Sequence, residues 1–398
     1  MKRIRNIALL SFLMVFVSCV SFKLGQRSVE VLGEGNPMDL SLMWKVRGRL
    51  KEDYLEKENI DDKKMSYGAI SGLVDSLDDP YTVFLPPSDN KANRENLAGE
   101  FGGVGISLGY KEKTLAVIAP LAKTPADKAG LRAGDLILKI IDKRKNIDKD
   151  TVGISLDEAV ELIRGEIGSE VVLNIYREGE DKPFDVALKR DNIVVSSVEL
   201  EIKEKDGKKI GWIKLYKFTE RLYEEWDEIM KELLEVKQRG ELAGIVLDLR
   251  NNPGGFLEAS VMVASDFLKE GVVVKQESSD GTTDVYKVDR SKGRMLDDKM
   301  VVLINGGSAS AAEILAGCLQ EYKRAKLLGE KSFGKGTVQR PDEFEDGSGL
   351  HITIAKWLLP GGKNIHGEGV SPDAEIEWNY EDNDPAYEKV YESLLNDS

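Results

Sequence analysis

Cysteine and histidine are scarce in this chain, with two of each among 398 residues. Two cysteines, Cys19 in an N-terminal apolar run and Cys318 in an Ala-rich segment, exclude a disulfide framework. Cys318 reads as a small buried hydrophobe. No metal-ligand spacing occurs, so no metal is expected and a metalloenzyme has no support. Positive charge is also short: 56 basic residues stand against 70 acidic ones, for a net charge of −14. An acidic body repels nucleic acid, which is thereby excluded as a partner. Long apolar runs are missing apart from one near the N-terminus. With 41% hydrophobic and 32% charged residues, the rest is a soluble globular chain of two or three domains.

The one apolar run spans residues 7–22, after Lys2, Arg3 and Arg5 and before Lys23 and Arg27. Residues 1–30 therefore read as a signal or anchor segment. The run is long for a signal-peptide core and slightly short for a spanning helix. An uncleaved anchor ranks first, a cleaved signal second and lipidation at Cys19 third. Early positive charges keep the N-terminus in the cytoplasm, so the remainder is expected outside it, on the periplasmic side, with the membrane as a partner.

The most informative stretch is 300–340. A β-branched run at 301–304 reads as a buried strand, Asn305-Gly-Gly as a turn, and 311–322 as a helix whose apolar face includes Ile314, Leu315, Cys318 and Leu319. Ser310 therefore sits where a strand breaks into a helix, next to free amides and the positive end of the helix dipole. Ser310 and Glu313 also fit a capping box, which by itself does no more than start a helix. Downstream, Phe333-Gly-Lys-Gly-Thr-Val-Gln places Lys335 between two glycines, where its backbone can approach another strand.

Together, Gly307-Ser-Ala-Ser-Ala-Ala-Glu-Ile and Phe333-Gly-Lys-Gly-Thr-Val-Gln resemble the active-site signature of the carboxyl-terminal processing proteases, a serine peptidase family. The resemblance implies Ser310 as nucleophile, Lys335 as general base and Gln339 as support for the lysine. Asp248-Leu-Arg-Asn-Asn-Pro-Gly-Gly extends it and implies that Gly255 and Ala311 donate the oxyanion-hole amides. A serine hydroxyl needs a neighbouring base, and lysine, with an ordinary pKa of ~10.4, must be desolvated to act as one near neutrality. Apolar Phe333 and Val338 are expected to supply that pocket. The even spacing of Lys335 and Gln339 predicts that both face the serine from one strand. The implied cycle runs through an acyl-enzyme on Ser310.

Residues 38–99 read as an N-terminal helical region, with an apolar stripe of Leu40, Met43, Trp44, Val46 and Leu50 and a second helix near 67–77. Asp78-Asp-Pro-Tyr-Thr-Val-Phe-Leu-Pro-Pro then breaks regular structure, and packing alone explains it. Its Asp-Pro-Tyr-Thr segment also resembles the same family. Residues 100–190 resemble a PDZ domain. Gly103-Val104-Gly105-Ile106 would be the carboxylate-binding loop, since successive amides in a glycine turn capture a C-terminal carboxylate and the next strand edge adds the peptide. Gly165 is expected to C-cap the helix over 156–164, leaving Arg164 as a solvated helix end.

From 191 to 372, strand, glycine turn and helix recur around 243–268 and 301–322, which reads as a mainly parallel sheet with crossover helices. Residues 373–398 are a tail with a short helix. The expected fold is thus multidomain α+β: a helical region, a PDZ domain and an α/β crotonase-like peptidase core, the last implied by the resemblance. The expected activity is ATP-independent, cofactor-free serine endopeptidase cleavage of extracytoplasmic proteins through their C-terminal tails. Homo-oligomers, dimers above all, and an adaptor stay open. Two departures from the family occur: Leu359-Pro-Gly-Gly-Lys-Asn-Ile-His replaces a Thr-Pro-Ser-Gly-Arg-like segment, and Ala312 replaces a usual serine.

Three rivals remain. A Ser-His-Asp hydrolase would need His351 or His366. A phosphate-binding loop at Gly329 to Gly336 fails because Gly336 replaces the Mg²⁺-holding hydroxyl and no helical pattern follows. A non-catalytic PDZ scaffold would bind peptides without cutting them.

Overall fold

The computed structural model describes residues 38–377 and 386–396 apart from 112, 122 and 206. The expected targeting segment 1–30, with Cys19, and part of the tail lie outside the described residues. The chain divides into two units, 1–69 and 70–398. In the first, the helix Ser41–Asp53 is tied to the start of the next helix by Asp62, whose carboxylate accepts from Arg47 at 2.8 Å and Lys51 at 2.7 Å. Its apolar stripe buries nothing in this structure: Leu40, Met43, Trp44, Val46 and Leu50 are all exposed. Among the described residues no helix is long and apolar enough to cross a membrane.

Within the second unit, residues 106–189 form a six-stranded antiparallel sheet. Its order is Ile106–Lys111, Thr114–Pro120, Leu136–Asp142, Glu170–Tyr176 and Phe184–Lys189, with Ile147–Asp150 beside the third. Alternate residues, including Leu115, Val117, Leu173 and Ile175, enter one small core, as period-two side chains dictate. The helix Leu156–Ile163 closes that core; Ser155 caps it by accepting the Glu158 amide at 3.2 Å. A two-stranded ribbon, Glu100–Gly103 with Asp191–Val194, joins this sheet to the larger core.

The larger core holds two sheets. One runs Val198–Lys205, Lys208–Leu215, Leu242–Asp248, Met300–Ile304, Lys326–Gly329, Ala374–Glu375; its first pairing is antiparallel and the rest parallel. Its middle strands are apolar on both faces because helices cover both. Ile245, Leu247, Val302 and Ile304 pack against Leu222–Gln238, Leu257–Phe267 and Ala311–Glu321. Val246, Val301 and Leu303 pack against Ala386–Asn396. The other sheet is antiparallel throughout: Val83–Leu85 and Val272–Ser278 share one edge of Gly349–Leu358, Thr337–Glu343 lies on the other, and Thr283–Lys287 follows Val272–Ser278. A mainly parallel arrangement therefore describes one sheet of the core only.

Candidate active site

The strand Met300–Ile304 ends at Asn305, whose side-chain oxygen accepts the amides of Asn251 at 2.8 Å and Gly307 at 3.0 Å. Ser308 Oγ donates to the carbonyl of Leu249 at 2.8 Å. These bonds fasten the turn after one parallel strand to the turn after its neighbour, at the carboxyl ends where sites gather in such sheets. Ser310 follows with φ 55° and ψ −116°, a region costly for any residue with a Cβ, by about 1–3 kcal/mol. Strain of this kind persists only where the surroundings impose it.

Glu313 imposes it. Its side chain is fully buried, and one oxygen, Oε2, accepts the Ser310 amide at 2.8 Å and the Lys335 amide at 2.9 Å. The backbone nitrogens of Ser310 and Lys335 are thus at most about 5.7 Å apart, the two hydrogen bonds end to end. The other oxygen accepts Ser332 Oγ and the Gly334 amide, each at 2.6 Å. Four donors satisfy a carboxylate that burial would otherwise penalise by several kcal/mol. The capping box is real, yet it is half of a clamp that a three-residue motif does not reveal.

Gly334, at φ 94°, and Gly336 let the lysine segment lie against 367–369 and His366: a Cβ would come within 2.9 Å of the Gly369 nitrogen or 2.7 Å of His366 Cβ. Burial pushes the Lys335 amine below its ordinary range, against the opposing charges of Asp79 and Glu313. The pocket is not made as expected. Phe333 is 58% exposed, and the ring beside the amine belongs to Tyr81, with Nζ 5.1 Å from its centroid. Gln339 also differs: its amide donates to Thr337 Oγ1 at 2.9 Å and Thr353 Oγ1 at 3.2 Å. The spacing argument fails because Lys335 precedes the strand Thr337–Glu343, so it does not share that strand's alternation with Gln339. Ser310 Oγ and Lys335 Nζ share no hydrogen bond here.

The amides of Gly255 and Ala311 donate to no acceptor among the described residues. The glycine pressed against the serine is Gly254, at φ 95°; a Cβ there would lie 2.8 Å from Ser310 Cβ and 3.0 Å from the Ala311 nitrogen. Gly255, at φ 137°, lies instead against the carbonyl of Phe218. Behind this turn, Asp248 and Arg250 form a buried bidentate pair at 2.6 and 2.8 Å. Of the histidines, His366 Nδ1 accepts the Gly336 amide at 3.3 Å, and burial, then the charge of Lys335, holds His351 below its ordinary pKa.

In the smaller domain, the amides of Val104 and Gly105 donate to no acceptor among the described residues, while Gly103 is paired in its strand. Ile106–Lys111 has a partner on one side only, leaving an edge for an added strand. Arg164 is no solvated helix end: its guanidinium stacks 3.8 Å from the Phe101 ring, and burial, opposed by Glu95, lowers its pKa. Arg164 itself is the C-cap, with φ −65°, so Gly165 supplies no left-handed turn. Gly165 is small for another reason, because a Cβ would meet the buried Arg190 guanidinium at 2.8 Å.

The sequence matches the model of peptidase family S41 over residues 209–376 and that of the PDZ domain over 102–188. It is 36% identical to the carboxy-terminal processing protease CtpA of Bacillus subtilis over 92% of this chain and 74% of that one. The chain belongs to the carboxy-terminal processing proteases of family S41. It is also 38% identical to a CtpA-like serine protease of Staphylococcus haemolyticus over 82% of this chain, spanning 62% of that relative's length. Among solved structures, an S41 protease of Bacteroides fragilis matches with a TM-score of 0.54 at 20% identity, covering 92% of this chain and 97% of that one. That likeness concerns the fold.

Proposed function

We propose that this S41 family member is an ATP-independent serine endopeptidase that takes protein substrates by their C-terminal tails and cleaves them with Ser310 and Lys335. The observation that carries the reading is the Glu313 carboxylate oxygen shared by the two amides, which holds nucleophile and base segments side by side. Neutral Lys335 accepts the Ser310 proton as the hydroxyl attacks the scissile carbonyl. The Gly255 and Ala311 amides stabilise the oxyanion. The lysine then returns the proton to the leaving amine, and water hydrolyses the acyl-enzyme. Gln339, through Thr337 and Thr353, fixes the strand behind the lysine. In the PDZ domain, the amides of Val104 and Gly105 receive the terminal carboxylate, and the tail pairs with Ile106–Lys111. The peptidase core is read as crotonase-like. The enzyme is placed outside the cytoplasm, anchored by residues 7–22 or exported with a cleaved signal.

The test is cleavage of an unstructured protein by wild type, Ser310→Ala and Lys335→Ala, with its C-terminal carboxylate free or amidated. Loss in both variants and weaker cleavage of the amidated substrate are expected. Peptide binding retained by a wild type that cuts nothing would leave a PDZ scaffold instead.

A further inference from the structure

The lysine pocket is completed by a segment from far upstream. The strand Val83–Leu85 pairs with Gly349–Leu358 in the register Phe84 to Leu350. This pairing carries Asp79-Pro-Tyr-Thr to the active site. Thr82 Oγ1 accepts the amide of Thr353, 271 residues away, at 3.0 Å and donates to the Asp79 carboxylate at 2.7 Å. Asp79 also accepts the Tyr81 amide at 3.1 Å. Because Thr353 Oγ1 accepts Gln339, a continuous polar chain runs from Asp79 to Gln339 behind the lysine. In front of it, the Tyr81 ring sits 5.1 Å from Lys335 Nζ and edge-on to His366 at 5.9 Å.

We propose that Asp79 and Tyr81 are positioning residues for Lys335: the tyrosine ring and the aspartate charge hold its side chain in place and stabilise the ammonium that forms when it takes the serine proton. The inference rests on Lys335 being the general base. A half-buried amine loses solvation for its charged form, so a proton transfer onto it is favourable only if fixed groups compensate. The groups that face it are Asp79, Glu313, Tyr81, His351 and His366. Glu313 already commits both oxygens to four donors, and the two histidines contribute no negative charge. Asp79 supplies the remaining charge, kept ionised because its hydrogen bonds outweigh its burial. The tyrosine face adds a cation–π attraction that acts only on the protonated lysine.

The experiment follows rate against pH in the full chain, read as casein cleavage at subsaturating substrate and as fluorophosphonate labelling of Ser310, which needs the same base. Variants are Asp79→Asn, Tyr81→Phe, Tyr81→Leu and Lys335→Ala. Asp79→Asn should move the acid limb down by about 0.5–1 pH unit and lower the plateau about 10-fold, because a weaker base drives the transfer less. Tyr81→Phe should match the parent, and Tyr81→Leu should lower the plateau about 10-fold. An acid limb unmoved in Asp79→Asn, with Lys335→Ala inactive, overturns this inference alone. Should Asp79→Asn not fold, equal rates for Tyr81→Leu and Tyr81→Phe overturn it. Full activity in Lys335→Ala overturns the Ser/Lys reading instead.

Discussion

At the scale of single residues, the site depends on groups whose roles are set by contact. Glu313 is the clearest. Glu313→Gln keeps the shape but turns one acceptor oxygen into a donor facing amides, at about 1.5–3 kcal/mol for each charge-assisted bond lost. We expect a lower denaturation midpoint and a kcat reduced about 100-fold, checked by urea unfolding and steady-state cleavage. Gly254→Ala would force a Cβ to 2.8 Å from the Ser310 side chain at φ 95°. The variant should lose kcat by at least about 100-fold with KM little changed, since it displaces the Ala311 amide, the proposed oxyanion donor, and not the substrate's tail. Lys335 illustrates the opposing demands of function and stability. Its amine is more easily deprotonated folded than unfolded, so the unfolded chain binds the extra proton and stability rises with pH until the unfolded pKa of ~10.4 is passed. Lys335→Met should therefore melt higher than wild type at pH ~7, by a margin that shrinks toward pH ~10.4, while being inactive.

Among the elements, the strand Thr337–Glu343 matters most: alternation sets Thr337 on the same face as Gln339, and pairing with Gly349–Leu358 brings Thr353 opposite it. The glycine turn before Ile106–Lys111 is the counterpart in the PDZ domain. Gly105 has φ 76° and lies against Thr124, where a Cβ would come within 2.4 Å. Gly105→Val should abolish the preference for a free C-terminal carboxylate, measured as cleavage of matched free and amidated substrates, while short internal peptides are still cut. Element existence was largely legible: the helices near 222–238, 257–267 and 311–321 follow apolar periodicity, and the strands at 242–248 and 300–304 follow unbroken β-branched runs. What periodicity missed were Val83–Leu85, Val272–Ser278 and Thr283–Lys287 of the second sheet, whose residues are mostly half-exposed or exposed.

For the whole molecule, the antiparallel sheet draws together segments from both ends of the second unit, so that 79–85 serves a lysine at 335. The histidines are tied into the same region: His351 lies beside Asn93 and His366 is bonded to Gly336 and Asn364. His351→Gln should leave cleavage within about twofold of wild type; a loss of 100-fold or more would favour a histidine base.

By itself the sequence determined the strand-to-helix turn at Ser310, the glycine-flanked Lys335, the Asn-Asn-Pro-Gly-Gly turn, the PDZ pattern and, through them, the family. These are local signals, readable because turn glycines, caps and apolar periods act over a few residues. Only the tertiary structure decided that Glu313 binds both segments, that Gly254 presses on the serine, that Arg164 stacks on Phe101, and that Tyr81 rather than Phe333 walls the lysine. Those are pairings between residues far apart in sequence. No local spacing encodes them, because they form only when distant segments pack together.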